Sequence, residues 1–200
     1  MFAVVESGSI TSFPKGNKGI VVGDVKHPKT IFTLWTEAER NAIGVYTVEI
    51  DETNRKDEKF YTNTDISYAF GSGKVTGSYG TATAKAIADA NAKDENGADL
   101  DPVVVIKGLK TQYKDNFNAQ AAGLLAPTDW YVVKATEVSG YSVPSAITTY
   151  RAAVRTKINA METAIDNCAN VDALITLLTY TTDSDGVSSR PLGEFPDEVV

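Results

Sequence analysis

One run of residues constrains this fold more than any other: Ile147, Tyr150, Val154, Ile158, Met161, Ile165 and Cys168 recur at steps of three or four. That spacing sets all of them along one face of an α-helix, and an apolar face must be covered. The cover has to come from nearby helices. From Val103 to Leu125, Ile106, Leu109, Tyr113, Phe117, Gln120 and Leu124 repeat at similar steps, which predicts a second amphipathic helix. Asn170-Val171-Asp172 can end the first helix and open a short last one carrying Leu174, Ile175, Leu177 and Leu178. The second half of the chain is therefore expected to be a helical hairpin or small bundle. A seam of this length pairs across chains as well as within one, so a homo-oligomer is a second expectation.

The first half reads differently. Phe2 to Glu6 and Ser9 to Phe13 are β-rich runs around Ser7-Gly8, the punctuation of a hairpin. Ile20-Val21-Val22 is another short apolar run, and His27-Pro28-Lys29 breaks the chain. Thr36-Glu37-Ala38-Glu39 fits a capping box and predicts a turn or two of helix, which Gly44 ends. Val45 to Ile50 then alternates like a half-buried strand, and Phe32 and Trp35 read as core aromatics packing the short helix on a sheet. Asp51 to Lys59 has no apolar face and reads as a solvated loop. Asp65 to Tyr79 is strand, turn, strand. Its Gly71-Ser72-Gly73-Lys74 is no phosphate loop, because Val75 replaces the hydroxyl residue that magnesium needs.

The fold expected is α+β: a β-rich, antiparallel module over residues 1–80, a helical domain over 81–180 and an acidic tail over 181–200. Ala82 to Lys93 is alanine-rich and compatible with helix, Asp94 to Asp99 with a loop between helices, and Asp101-Pro102 with the first turn of the next helix. The tail carries Gly186, Pro191, Gly193 and Pro196, a flexible composition, although Leu192, Phe195 and Val199 could dock it.

Between the two long helices lies Leu124-Leu125-Ala126-Pro127-Thr128-Asp129-Trp130. Pro127 disfavours helical geometry at Ala126, and the oxygens of Thr128 and Asp129 can accept from a helix N-terminus. Trp130 thus sits at a fixed corner, either as a core aromatic or as a contact for another molecule. The chemical inventory is thin. His27 reads as an exposed loop histidine, and Cys168 lies on the apolar stripe, with no histidine near in sequence to activate it. The loops starting at Asp94 and Asp183 each miss a position of the helix-loop-helix calcium pattern. No catalytic residue, cofactor or metal is expected. A net charge of −7 argues against a nucleic-acid partner, and no apolar run approaches the ~20 residues of a membrane helix. The N-terminus lacks the basic start and long apolar region of a signal peptide.

The run Leu124-Leu125-x-x-Thr128-Asp129-Trp130, followed by Tyr150-Arg151-Ala152-Ala153-Val154-Arg155, resembles the small domain of bacteriophage tail assembly chaperones over residues 119–158. Ile147 stands where that pattern has a second Trp, and the basic residue that it has just before the Leu-Leu pair is missing from Gln120-Ala121-Ala122-Gly123. The N-terminal block is similar to the opening of small tailed-phage proteins, in Phe2 to Glu6, in Pro28 to Phe32 with Trp35, and in Ile43 to Tyr46. The resemblance implies a non-catalytic protein of the virion tail, or of the host cytoplasm during assembly, that binds a tail or tail-fibre protein. Leu124, Leu125, Trp130, Tyr150, Arg151 and Arg155 would form the binding surface, aromatics at the centre and arginines at the edge. A second expectation is a receptor- or glycan-binding module with Trp35, Tyr61 and Tyr79 facing outward, and a weaker third is a cell-wall hydrolase.

Overall fold

The computed structural model describes residues 1–198 and divides the chain into two compact units, Met1–Thr83 and Ala84 onward. The fold is α+β, with most strands in the first unit and the long helices in the second.

In the first unit, β1 (Phe2–Glu6) and β2 (Ser9–Ser12) form the hairpin. Ser7 and Gly8 both take positive φ, 50° and 78°, the left-handed pair whose twist suits a two-residue turn. Strands β3 (Ile20–Val22) and β4 (Val25–His27) pair as a small ribbon, and β5 (Val45–Asp51) joins β1. After the two-residue β6 (Tyr61–Thr62), β7 (Ile66–Gly71) and β8 (Lys74–Tyr79) make a second hairpin, again turning on a Ser-Gly pair with φ of 52° and 74°. The main sheet runs β2-β1-β5-β8-β7.

That sheet corrects the antiparallel expectation, because β5 and β8 lie parallel from Val48↔Val75 to Asp51↔Ser78. A parallel pair needs a crossover of a dozen residues or more, and residues 52–73 provide it. Both sheet faces are covered. Val4 and Val45 pack with Ile31 and Phe32 on one side, while Ala3, Val5, Val48 and Val75 form the other core. Tyr46 stacks on Phe70 over the second core, with ring centroids 4.9 Å apart. β5 is therefore buried on both faces at its start and exposed from Glu49 onward, which replaces simple alternation.

The capping box forms at α1 (Glu37–Ala42): Thr36 Oγ1 accepts from the Glu39 amide at 3.3 Å, and the Glu39 carboxylate accepts from the Thr36 amide at 2.8 Å. The Thr36 amide, and after it the Thr36 hydroxyl, which donates to Glu39 Oε2 at 2.8 Å, hold the Glu39 carboxyl below the usual range. Gly44, at φ 78°, ends the element.

The second unit departs most from expectation between residues 82 and 107. No helix forms there. Past a two-residue strand β9 (Thr83–Ala84), β10 (Ala90–Asn91) and β11 (Val105–Ile106) make a hairpin closed by Asp94 to Ala98. The alanines offer helix propensity but no apolar face, and propensity alone is a weak determinant. Their carbonyls serve α2 (Leu109–Leu125) instead. Leu109 and Lys110 amides donate to Ala86 O and Ile87 O at 2.9 and 3.1 Å, and the Gly108 amide donates to Asp89 Oδ1 at 2.8 Å. Orphan donors of a helix N-terminus are thereby satisfied by a preceding segment. Asp101-Pro102 accordingly lies outside the helix, and Ile106 is an exposed strand residue.

The close approach of Ala88 explains Gly108. A Cβ there would sit 2.3 Å from the Ala88 carbonyl carbon and oxygen, which are backbone atoms and cannot swing aside. Gly108→Ala should destabilise the helical unit by about 1–3 kcal/mol. Urea titration followed by helical circular dichroism tests this, and parental stability would mean that residues 86–89 move freely.

After α2, a 3-10 turn over Ala126–Thr128 leads into α3 (Asp129–Glu137), then α4 (Ser145–Asp166) and α5 (Val171–Leu178). Every residue of the α4 stripe, from Ile147 to Cys168, is buried. α2 buries Leu109, Phe117 and Ala121, whereas Gln120 faces out. The segment after α5 docks within this unit. Its strands β12 (Thr181–Thr182) and β13 (Ser188–Ser189) form a hairpin, and Leu192 is buried, with its amide donating to Leu177 O and its carbonyl accepting from Lys157 Nζ at 2.7 Å. Phe195 is half-buried, and Val199 lies outside the described residues.

Candidate functional site

α2 and α4 run antiparallel, and each brings cations to the carbonyl end of the other. Lys110 Nζ donates to Asp166 O at 2.8 Å, and Lys114 pairs with the Asp166 carboxylate at 2.8 Å, both at the C-terminus of α4. At the opposite end Arg151 Nη1 donates to Leu125 O at 3.0 Å, and the Tyr150 hydroxyl makes a long bond of 3.4 Å to Leu124 O. The last carbonyls of a helix lack intrahelical partners and carry partial negative charge, so cations there complete the backbone and oppose the dipole.

Arg151 does more than cap. Its Nη1 also donates to Thr128 Oγ1 at 2.5 Å, and Nη2 pairs with Asp129 Oδ1 at 2.8 Å. Thr128 in turn donates to Leu125 O at 2.7 Å. One planar guanidinium thus spans the end of α2, the 3-10 turn and the first residue of α3, a geometry that a point-charged ammonium cannot reproduce. The oxygens of Thr128 and Asp129 go to Arg151 rather than to a helix N-terminus, since α3 has no side-chain cap hydrogen bond.

Held this way, α3 buries none of its own residues. Trp130 is 50% exposed, and Val132, Val133 and Val138 are 42%, 52% and 47% exposed. The Trp130 ring stacks on Tyr131 with centroids 3.8 Å apart, and Lys134 Nζ lies 5.6 Å from the Trp130 ring and 4.4 Å from that of Tyr141. A short helix that buries none of its side chains and leaves Trp130, Val132 and Val133 in solvent is unusual on a protein surface.

The sequence-derived surface is thereby divided. Trp130 and Arg155 are exposed, Leu124 and Leu125 are half-buried, and Tyr150 and Arg151 are in the interior, where they hold the corner. Burial pushes the Tyr150 phenol above its usual range. Val132, Val133 and Val138 were not legible as surface residues. Asp129 in the first turn and Gly140, at φ 82°, just beyond the end are the start and stop signals that mark α3.

Other residues fall away from this corner. Trp35 packs on the core of Val4, Ile31, Phe32 and Val45, edge-on to His27 at 5.9 Å, so His27 is a half-buried strand residue rather than an exposed loop one. Tyr61 and Tyr79 are half-buried, and the Arg55 guanidinium lies 5.9 Å from the Tyr79 ring centroid. Glu52 and Glu58 of the solvated loop both pair with Arg55. Cys168 is buried, with its thiol pushed up by desolvation. Asp94 and Asp183 each accept two backbone amides of their own loop at 2.9 Å, which identifies both as hairpin turns. Among the described residues no group of three or more His, Cys, Asp or Glu side chains is placed to hold a metal, and no helix is long and apolar enough to cross a membrane.

No protein-family model matches the chain, and neither a curated protein nor a solved structure is significantly similar to it.

Proposed function

We propose that this chain is a non-catalytic binding protein of a tailed bacteriophage, whose helical unit engages a tail or tail-fibre protein as an assembly chaperone or a retained virion component. The observation that carries the binding role is α3, a helix with no buried residue of its own and with Trp130, Val132 and Val133 exposed along it and Val138 exposed just past its end. Tryptophan in a firmly held setting is the residue type most often found to dominate protein interfaces. The phage setting is supported by the resemblance of residues 119–158 to tail assembly chaperones. In this reading Trp130 is the anchor and Arg155 an edge residue, while Tyr150 and Arg151 act indirectly by fixing the direction of α3.

Trp130→Ala separates binding from folding. Because half of the side chain is in solvent, stability should fall by only about 1–2 kcal/mol, less than for an enclosed tryptophan, and the helical unit should stay folded. Affinity for the tail-fibre protein should fall by about 2 kcal/mol, roughly thirtyfold. Co-expression with the fibre protein and co-purification measure this, and a folded variant that co-purifies as the parent does would remove α3 as the binding surface.

A further inference from the structure

Independently of α3, a cleft opens along α2 where the segment after α5 lies against it. Tyr113, Asn116 and Gln120 stand at steps of three and four on one face of α2, and with Tyr180, Arg190 and Glu194 they line a cavity of about 620 Å³. Small-molecule sites are commonly about 300–1,000 Å³. A neighbouring hollow of about 380 Å³ shares Gln120 and Glu194 and carries the cleft on to Leu124 and Phe195. The charges inside are already committed to each other. Arg190 packs against the Phe117 and Tyr180 rings, 5.2 and 5.0 Å from their centroids, and its Nε and Nη2 hold the two Glu194 oxygens at 2.8 and 3.0 Å. The Tyr180 hydroxyl donates to the same carboxylate at 2.6 Å. An entering cation would meet Arg190 and an entering anion Glu194, so the cleft favours a neutral ligand.

What the cleft leaves open to solvent is the Tyr180 ring, 51% exposed, and the side chains of Asn116 and Gln120, both exposed. Each of those amides offers a donor and an acceptor side by side. A ligand that answers to them carries hydroxyl groups, which donate and accept in turn, and an apolar C–H face that can lie on an aromatic ring. We propose that this cleft binds a neutral oligosaccharide, with a sugar ring on Tyr180 and its hydroxyls on Asn116 and Gln120. From Tyr113 to Leu124 the helix rises about 16 Å, room for about three linked sugar rings. The site is also preformed. Burial of Leu192 and the bond from Lys157 Nζ to Leu192 O fix the segment that carries Arg190 and Glu194, so few side chains must be ordered on binding. A glycan role expected of Trp35, Tyr61 and Tyr79 thereby moves to the helical unit, those three side chains being packed on a core or half-buried.

Titration of the isotope-labelled full chain with neutral oligosaccharides of hexoses and N-acetylhexosamines, followed by nuclear magnetic resonance, tests the proposal. The side-chain amide signals of Asn116 and Gln120 should shift, and affinity should rise with chain length up to about three rings. Sialylated oligosaccharides of the same length should bind at least about tenfold more weakly. Asn116→Ala and Gln120→Ala should each weaken binding by about tenfold with unchanged circular dichroism, since both side chains are exposed. Tyr180→Ala should abolish binding and Tyr180→Phe should retain it, which separates the ring from its hydroxyl and from the hold on Glu194. Trp130→Ala should bind saccharide as the parent does, so the fate of this site is independent of the tail-fibre reading. A parent chain whose Asn116 and Gln120 signals ignore every neutral oligosaccharide would overturn the proposal. So would signals that respond equally to an uncharged peptide or a nucleoside.

Discussion

Ile165→Ala is expected to lower the stability of the helical unit by about 2–5 kcal/mol, the range for truncating a fully enclosed aliphatic side chain. Ile165 has no exposed surface, and neither do Met161 and Val154 on the same stripe or Leu174 on α5. Removing its outer carbons forfeits their transfer from water and leaves a cavity that α2 and α5 cannot fill without moving. Val133→Ala on α3 is the matched control, expected within about 0.5 kcal/mol because its side chain is half in solvent already. Since the chain has two units, the transition is best followed by helical circular dichroism in urea, which reports the second unit. Equal midpoints for the two variants would contradict the buried stripe.

Arg151→Leu should cost about 3 kcal/mol, with a different signature. The buried guanidinium donates to Leu125 O and Thr128 Oγ1; losing it leaves Thr128 Oγ1 without a donor and Leu125 O with only the Thr128 hydroxyl, at a penalty of about 1–3 kcal/mol, and removes the packing of a buried side chain as well. Asp129, which is largely exposed, regains water and adds little. Arg151→Lys should recover only part of the loss, because one ammonium cannot bridge all three groups. On the proposed function, binding to the tail-fibre protein should fall along with stability even though Arg151 is buried, because the direction of α3 is lost with it. Trp130 near-ultraviolet circular dichroism reads that loss directly. A stable Arg151→Leu variant with an unchanged Trp130 signal would show that the corner holds without the clamp.

What the sequence made legible was what repeats or what turns. The α4 stripe is visible because seven apolar positions at steps of three and four leave no other period, and each is buried. Ser7-Gly8, Ser72-Gly73 and the Thr36–Glu39 box are local chemistry, readable without knowing the fold. The failures are tertiary. Ala82 to Lys93 looks helical until the amides of α2 claim the carbonyls of Ala86 and Ile87. Arg151 looks like a surface arginine until its partners from residues 125–129 are brought beside it. Parallel pairing of β5 with β8 leaves no mark in either strand. α3 was missed because Trp130-Tyr131-Val132-Val133 has no helical period, the periodic face being what burial imposes and α3 not being buried.

The docked segment around Leu192 has a bearing on biosynthesis. The strands of the first unit all lie within residues 1–83, so that unit can close while the ribosome is still elongating the chain. The helical unit is different: Lys157 and Leu177 wait for Leu192, which leaves the ribosome long after them. Until then the nascent helices display unsatisfied apolar surface, and a stall or premature stop upstream of residue 192 yields a product with a finished sheet and an open bundle.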